Sequence, residues 1–291
     1  MPENTVIEVP KKQEETLPRA NPMPEAISPA GGIAPHSPFP AETVDLPSQG
    51  YFYLPENPLS SGQVDIKEMT AREEDILTSQ NLIRRGVVLD KLLKALIVTP
   101  GVNMDDILIG DKNALFVAAR VFAYGNEYPI RPRCPQCGAQ PSTPIIIDLL
   151  QFGSKDVDLS KYERGVNNFD YQFPNCKKNI TYKILTHLDE TNIDKEIKAM
   201  ARFSKGEGSS SEITTRLKYT IQSVEGNTDK AVIKQFVDTL SSKDSLAFRQ
   251  HLRETMPDLD TNFNFVCEEC NYEERMMMPI GIDFFWPETR G

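Results

Sequence analysis

Apolar residues fall at two different spacings along this chain, and the change of spacing marks out its elements. Between residues 63 and 69, "QVDIKEM" sets Val64 and Ile66 against polar neighbours, the period of a short strand. Thr70 followed by Glu73 is a capping-box pattern and predicts a helix starting at Thr70. Leu89, Leu92, Leu93, Leu96 and Ile97 form a stripe at helical spacing that should stop at Pro100. Asp111 reads as the cap of a third helix, with Leu115, Ala118, Ala119 and Phe122 inward and an end at Gly125.

The strand period returns in "EYPIRPR" and "TPIIIDL", and residues 169–186 read as a hairpin turning at Asn175–Asn179. From Glu190 to Met256 four apolar stripes predict four helices. They carry Ile193, Ile197 and Met200; Ile213, Leu217 and Ile221; Val232, Phe236 and Leu240; and Leu246, Phe248 and Leu252. "SKGEGSSS" at 204–211 reads as a flexible link. "NFNFV" and "EERMMMPIGI" read as strands near the C-terminus.

Twelve of the 22 prolines lie in the first 60 residues. Proline removes backbone donors and restricts its neighbours, so this stretch should hold neither helix nor sheet ladder. The expectation is a disordered Pro-rich tail over 1–43, either inert or laid as a strap over a neighbouring subunit. Three further parts follow: 44–150, an α+β domain; 151–260, a hairpin plus helical insertion; and 261–291, C-terminal strands.

Two cysteine pairs shape the rest of the reading. Cys134-Pro-Gln-Cys137 is followed by Gly138, and Cys267-Glu-Glu-Cys270 by Asn271. Each sits between predicted strands, as in a zinc knuckle. One pair offers two ligands where a tetrahedral ion takes four, and His36, His187 and His251 lie far from both pairs in sequence. The economical solution is one structural Zn2+ per chain held by Cys134, Cys137, Cys267 and Cys270. The alternatives are two disulfides or unrelated thiols.

Between Cys137 and Cys267 lie 129 residues, far more than in an ordinary zinc ribbon. Loop-closure entropy grows slowly with length, so an insertion whose ends return to one place would tolerate this. The expected fold class is therefore α+β: a four-cysteine, zinc-ribbon-like β module with an N-terminal helical part and a mainly helical insertion. Cys176, beside Lys177 and Lys178, reads as an incidental cysteine.

Charge and motif content narrow the function classes. The net charge of −10 argues against a nucleic-acid backbone as partner. No apolar run reaches a membrane-spanning length and no signal-peptide pattern is present, so synthesis in cytosol with no membrane partner is expected. Four thiolates leave no open position for a catalytic zinc. There is no Gly-rich phosphate loop, Gly-x-Ser-x-Gly elbow or His-Glu-x-x-His, and the pairs Glu73-Glu74 and Asp105-Asp106 read as first-turn helix residues. Phe284, Phe285 and Trp286 read either as a strand closing the core or as an exposed aromatic strip docking on a partner. Met276–Met278 reads as core or interface filler.

The segments "LPSQGYFY", "MTAREEDILTS", "LIGDKNALFVAARVFAYG" and "CPQCG" resemble the T4-like baseplate hub subunit and hub assembly chaperone family of contractile-tailed bacteriophages, over residues 44–150. The resemblance implies a non-enzymatic protein of the virion tail baseplate, made in the host cytoplasm and present in several copies. Its partners would be other hub, tube or tape-measure-end proteins. It leaves open a transient assembly chaperone absent from the mature virion. A zinc-ribbon adaptor of transcription or replication machinery is the alternative from another class.

Overall fold

Backbone pairing begins as soon as the early prolines stop. In the computed structural model, which describes residues 40–203 and 211–285, strand β1 (Ala41–Asp45) lies antiparallel to β2 (Gln63–Lys67), with Ala41 opposite Lys67 and Asp45 opposite Gln63. The ladder starts three residues before the expected boundary, because Ala41, Glu42 and Thr43 carry the N–H donors that proline lacks. The rest of the expected tail, the link at 204–210 and Trp286 lie outside the described residues.

Helix α1 (Ala71–Thr78) starts on the capping box: Thr70 donates through its backbone N–H (3.0 Å) and its hydroxyl (2.6 Å) to the Glu73 carboxylate. Helix α2 (Gln80–Arg85), which the apolar stripes do not announce, ends on Gly86 in the left-handed region. Helix α3 (Val88–Leu96) buries Leu92, Leu93 and Leu96. It stops before Pro100 because Ile97 bridges to Ile66 and the Val98 amide donates to the Asp65 carbonyl.

Helix α4 (Ile109–Tyr124) runs through the core, with Leu115, Phe116 and Ala119 buried. Its cap position is Leu108, so the reading of Asp111 as the cap is corrected. Asp111 is instead fully buried in the first turn. It accepts from the Ser48 N–H (2.9 Å), the Ser48 hydroxyl (2.6 Å) and the Tyr53 hydroxyl (2.6 Å). Tyr53 Oη in turn accepts from the Leu108 N–H at 2.9 Å. Burial raises the Asp111 carboxyl, and burial together with Asp111 raises the Tyr53 phenol. The turn that supplies Ser48 and Tyr53 needs Gly50: its φ is 71°, and a Cβ there would lie 2.4 Å from the Ser60 carbonyl oxygen.

Strands β3 (Glu127–Ile130) and β4 (Ile145–Asp148) form one antiparallel ribbon. The following hairpin, β5 (Phe169–Gln172) and β6 (Asn179–Tyr182), is extended by β7 (Ile221–Val224) into a sheet of order β5-β6-β7. Four helices accompany it: α5 (His187–Phe203), α6 (Glu212–Thr220), α7 (Lys230–Thr239) and α8 (Ser242–Thr255). Ile221, expected on a helical stripe, is the first residue of β7. Phe248 of α8 packs edge-on against Tyr182 and Phe173 beneath the sheet.

The insertion closes on itself at a narrow neck. Ser154 bridges Leu259, the Lys155 N–H donates to the Asp258 carbonyl (2.8 Å), and the Asp260 N–H donates to the Gly153 carbonyl (2.9 Å). Asn113 of α4 donates to the Asp258 carboxylate at 3.0 Å. At Gly110 the neck comes so close that a Cβ would lie 2.1 Å from the Pro257 carbonyl oxygen. Chain entering the insertion from β4 thus leaves it beside its point of entry, directly before β8 (Asn262–Val266) and β9 (Glu273–Met277), the second antiparallel ribbon. The architecture is α+β, with a β module whose two ribbons flank the helical insertion in sequence.

Candidate metal centre

Each ribbon ends in a cysteine turn, and the two turns share one hydrogen-bond pattern. In the first, the Cys134 N–H donates to the Ala139 carbonyl (2.8 Å) and the Gly138 N–H donates to the Cys134 carbonyl (2.9 Å). In the second, the Cys267 N–H donates to the Tyr272 carbonyl (2.9 Å) and the Asn271 N–H to the Cys267 carbonyl (3.0 Å). The residue after the second cysteine lies in the left-handed region in both, Gly138 at φ 74° and Asn271 at φ 54°. Glycine and asparagine are the residues that enter that region most readily. A cross-link between the turns comes from Ser142, whose N–H (3.3 Å) and hydroxyl (3.1 Å) both donate to the Glu268 carboxylate.

The turns bring all four sulfurs within 4.8 Å of one another. Cys134 Sγ lies 3.7 Å from Cys270 Sγ, and Cys137 Sγ 3.6 Å from Cys267 Sγ. A disulfide would place two sulfurs about 2 Å apart, and all five cysteines are free thiols. In a tetrahedron of sulfurs about 2.3 Å from a central ion, neighbouring sulfurs stand about 3.8 Å apart. The observed spacing suits that arrangement. The first cysteine of each turn is buried, Cys134 at 2% and Cys267 at 3% exposure, whereas Cys137 is exposed.

Electrostatics point the same way. Burial opposes ionisation of Cys134, but the Cys137 and Gln136 amides and the adjacent thiols outweigh it and bring this thiol down to about 7. The Tyr272 amide favours the Cys270 thiolate, yet burial and the three other sulfurs push it up to about 12. Cys137 is raised despite the Ala139 amide, through burial and its neighbours Cys134 and Cys267. One negative sulfur is easy to form here and further ones repel it. A central cation removes that repulsion, so the donor set fits a metal ion.

The expected aromatic strip takes a different place. Phe284 and Phe285 lie in a terminal 3-10 turn (Ile282–Phe285) and are 1% and 0% exposed, so the exposed-strip reading is corrected for these two residues. Phe284 meets Tyr128 of β3 edge-on at 5.0 Å and Phe285 meets Phe116 at 5.9 Å. Arg120, buried in α4, donates through Nε to the Phe284 carbonyl (3.1 Å) and through Nη1 to the Gly125 carbonyl (3.1 Å). It also stacks over Tyr124. These contacts brace the ribbon that leads into Cys134. Of the methionine run, Met278 is buried, Met276 packs against the core and Met277 is 67% exposed. Cys176 is exposed in the β5–β6 turn, away from the four-sulfur group.

Sequence spacing reached the four cysteines but not their supports. The Ser142–Glu268 link spans 126 positions, and its only local signal is a polar residue beside each knuckle. Among the described residues, no helix is long and apolar enough to cross a membrane.

The family model described as T4 bacteriophage base plate protein matches residues 51–286. That span reaches past residue 150, takes in the whole insertion and contains both cysteine turns. No curated protein and no solved structure matches the chain. With most of its length matched, including every residue of the sulfur cluster, the chain belongs to the family of T4 bacteriophage base plate proteins.

Proposed function

We propose that this protein is a non-enzymatic structural subunit of the central hub of a contractile-tail baseplate, stiffened by one structural zinc ion held by Cys134, Cys137, Cys267 and Cys270. The observation that carries the metal part is the convergence of four sulfurs within 4.8 Å from turns that share one backbone pattern. Thiolates in a tetrahedral, fully protein-supplied set are the ligands of structural zinc, and such a set leaves no position for a reacting water. The ion would clamp the ribbon before the insertion to the ribbon after it, making the β module one rigid block for packing in a multi-copy assembly. The hub placement rests on family membership together with the motifs "LPSQGYFY" and "LIGDKNALF", which meet at the Asp111 cradle.

Elemental analysis of the purified chain should give about one zinc per molecule. Quantitative mass spectrometry of purified virions, baseplates and assembly intermediates separates the two fates. Detection in mature virions with the other hub proteins supports the structural role. Detection in intermediates alone replaces it with the assembly-chaperone role.

A further inference from the structure

A buried cluster of charged groups lies where α3, α4 and α5 meet, separate from the sulfurs and from the Asp111 cradle. His187, the first residue of α5, is 7% exposed, and Lys112 of α4 is 8% exposed. Lys112 Nζ lies 3.1 Å from His187 Nδ1. An ammonium carries only donors, so Nδ1 accepts and the ring is neutral, with its proton on Nε2. Lys112 Nζ also reaches Asp90 Oδ1 of α3 at 3.3 Å and Glu190 Oε2 of α5 at 3.1 Å. Glu190 is shared with Arg216 of α6 at 3.7 Å. Asp105, in the 3-10 turn Met104–Asp106, faces the ring as well. A cavity of about 330 Å3 lies beside the ring, lined by His187, Asp90 and Asp105 with Lys91 and Lys94.

A proton on Nδ1 would reverse this arrangement. The nitrogen would cease to accept, and two cations would stand 3.1 Å apart in a nearly dry contact. Asp90 and Glu190 are partly exposed, so solvent weakens their pull on the ring. Burial and Lys112 accordingly hold His187 below its ordinary value of 6.5, against Asp90, Glu190 and Asp105. Asp90 Oδ1 stands 3.7 Å from Nδ1, so a protonated ring can turn to a carboxylate that Lys112 otherwise holds. The backbone at this point fastens the insertion to the start of α4. The His187 N–H donates to the Ile107 carbonyl (2.8 Å), the Ile109 N–H donates to the Leu185 carbonyl (3.1 Å), and Leu108 bridges Thr186.

We propose that His187 and Lys112 form an acid-sensitive latch, closed at neutral pH and released in mildly acidic solution, that holds residues 185–187 against residues 107–109. Since the folded state favours the neutral ring, the contribution of the latch is complete above pH 6.5 and declines as pH falls below it. The latch depends on neither the metal nor the hub assignment. Amide hydrogen exchange, followed by NMR on the full-length protein at about pH 7.5 and about pH 5.5, reads it as protection factors.

The expected result on acidification is a roughly tenfold loss of protection at the Ile109 and His187 amides. The Leu46 amide, bonded to the Gly62 carbonyl, should change little. His187→Gln keeps an acceptor for Lys112 but cannot titrate, and should lose the pH dependence. His251→Gln, which removes the histidine paired with Tyr182, should keep it. Titration of the histidine rings gives a second measurement should His187→Gln fold poorly. His187 should titrate below 6.5 in the wild type and higher in Lys112→Gln, which removes the cation and leaves the carboxylates. Equal loss at Leu46, pH dependence that persists in His187→Gln, or a His187 titration unmoved by Lys112→Gln would overturn the proposal.

Discussion

Cys134 Sγ and Cys270 Sγ lie 3.7 Å apart although 136 positions separate them in the chain. The proposed shared ion would make both ends of the β module dependent on every ligand. Cys134→Ser and Cys267→Ser are therefore each expected to abolish stoichiometric metal binding and to destabilise the same cooperative unit, by at least about 5 kcal/mol. Metal analysis combined with urea unfolding checks this. Full metal retention by either variant would show that the two turns act separately.

The matching turns make a conformational prediction. A Cβ at Gly138 would meet nothing within 4 Å, so a side chain there is limited by φ alone. Gly138→Val should cost about 2 kcal/mol and Gly138→Asn less than about 1 kcal/mol, because Asn271 already holds the equivalent position. Denaturant titration of the metal-bound variants ranks the three residues.

Three donors converge on the Asp111 carboxylate. Asp111→Ala would leave them buried without an acceptor, an expected loss on the order of 4 kcal/mol. Tyr53→Phe removes one donor and also strands the Leu108 amide, for about 1–3 kcal/mol. Thermal unfolding of both variants, which should retain their metal, tests the ordering.

Glu73 provides a pH test. Burial raises its carboxyl, but Lys67 at 2.7 Å and the Thr70 donors outweigh this and lower it from 4.5 to about 2. Since the folded value is depressed, the contribution is complete above pH 4.5 and disappears as pH falls to about 2. It amounts to roughly 3 kcal/mol. Glu73→Gln should lose that pH dependence. The difference between the two stability curves isolates it from protonation of the cysteines, which occurs in both proteins.

At the neck, Gly110→Ala places a methyl group 2.1 Å from a backbone oxygen, and either α4 or the 257–258 segment must move. The expected cost is about 3 kcal/mol. Because the neck aligns the ribbons, weaker metal retention in a chelator competition should accompany it.

The two knuckles were legible because their signals are local: strand-period residues on both sides of a Cys-x-x-Cys turn. Thr70 with Glu73 was legible for the same reason, cap and partner being three positions apart. Asp111 was not. Its acidic side chain near a helix start resembles a cap, and nothing nearby reveals that Ser48 and Tyr53, 63 and 58 positions away, claim it.

Ile221 continues the spacing of Ile213 and Leu217, so the stripe ran one residue into β7, where pairing with Tyr182 takes over from helix periodicity. Phe284 and Phe285 carry equal apolar content whether buried or displayed. Arg120 and Tyr128, which decide between these, are far off in sequence.

The pairing of Gly153–Lys155 with Asp258–Asp260 also sets an order of events during translation. A nascent chain that has just displayed Cys137 would own half of the proposed coordination shell. It must carry that half through synthesis of more than a hundred residues before Cys267 emerges. Capture of an ion by all four sulfurs would thus wait until the insertion has returned to its starting point, which would make loading of the ion a late checkpoint on completion of the polypeptide.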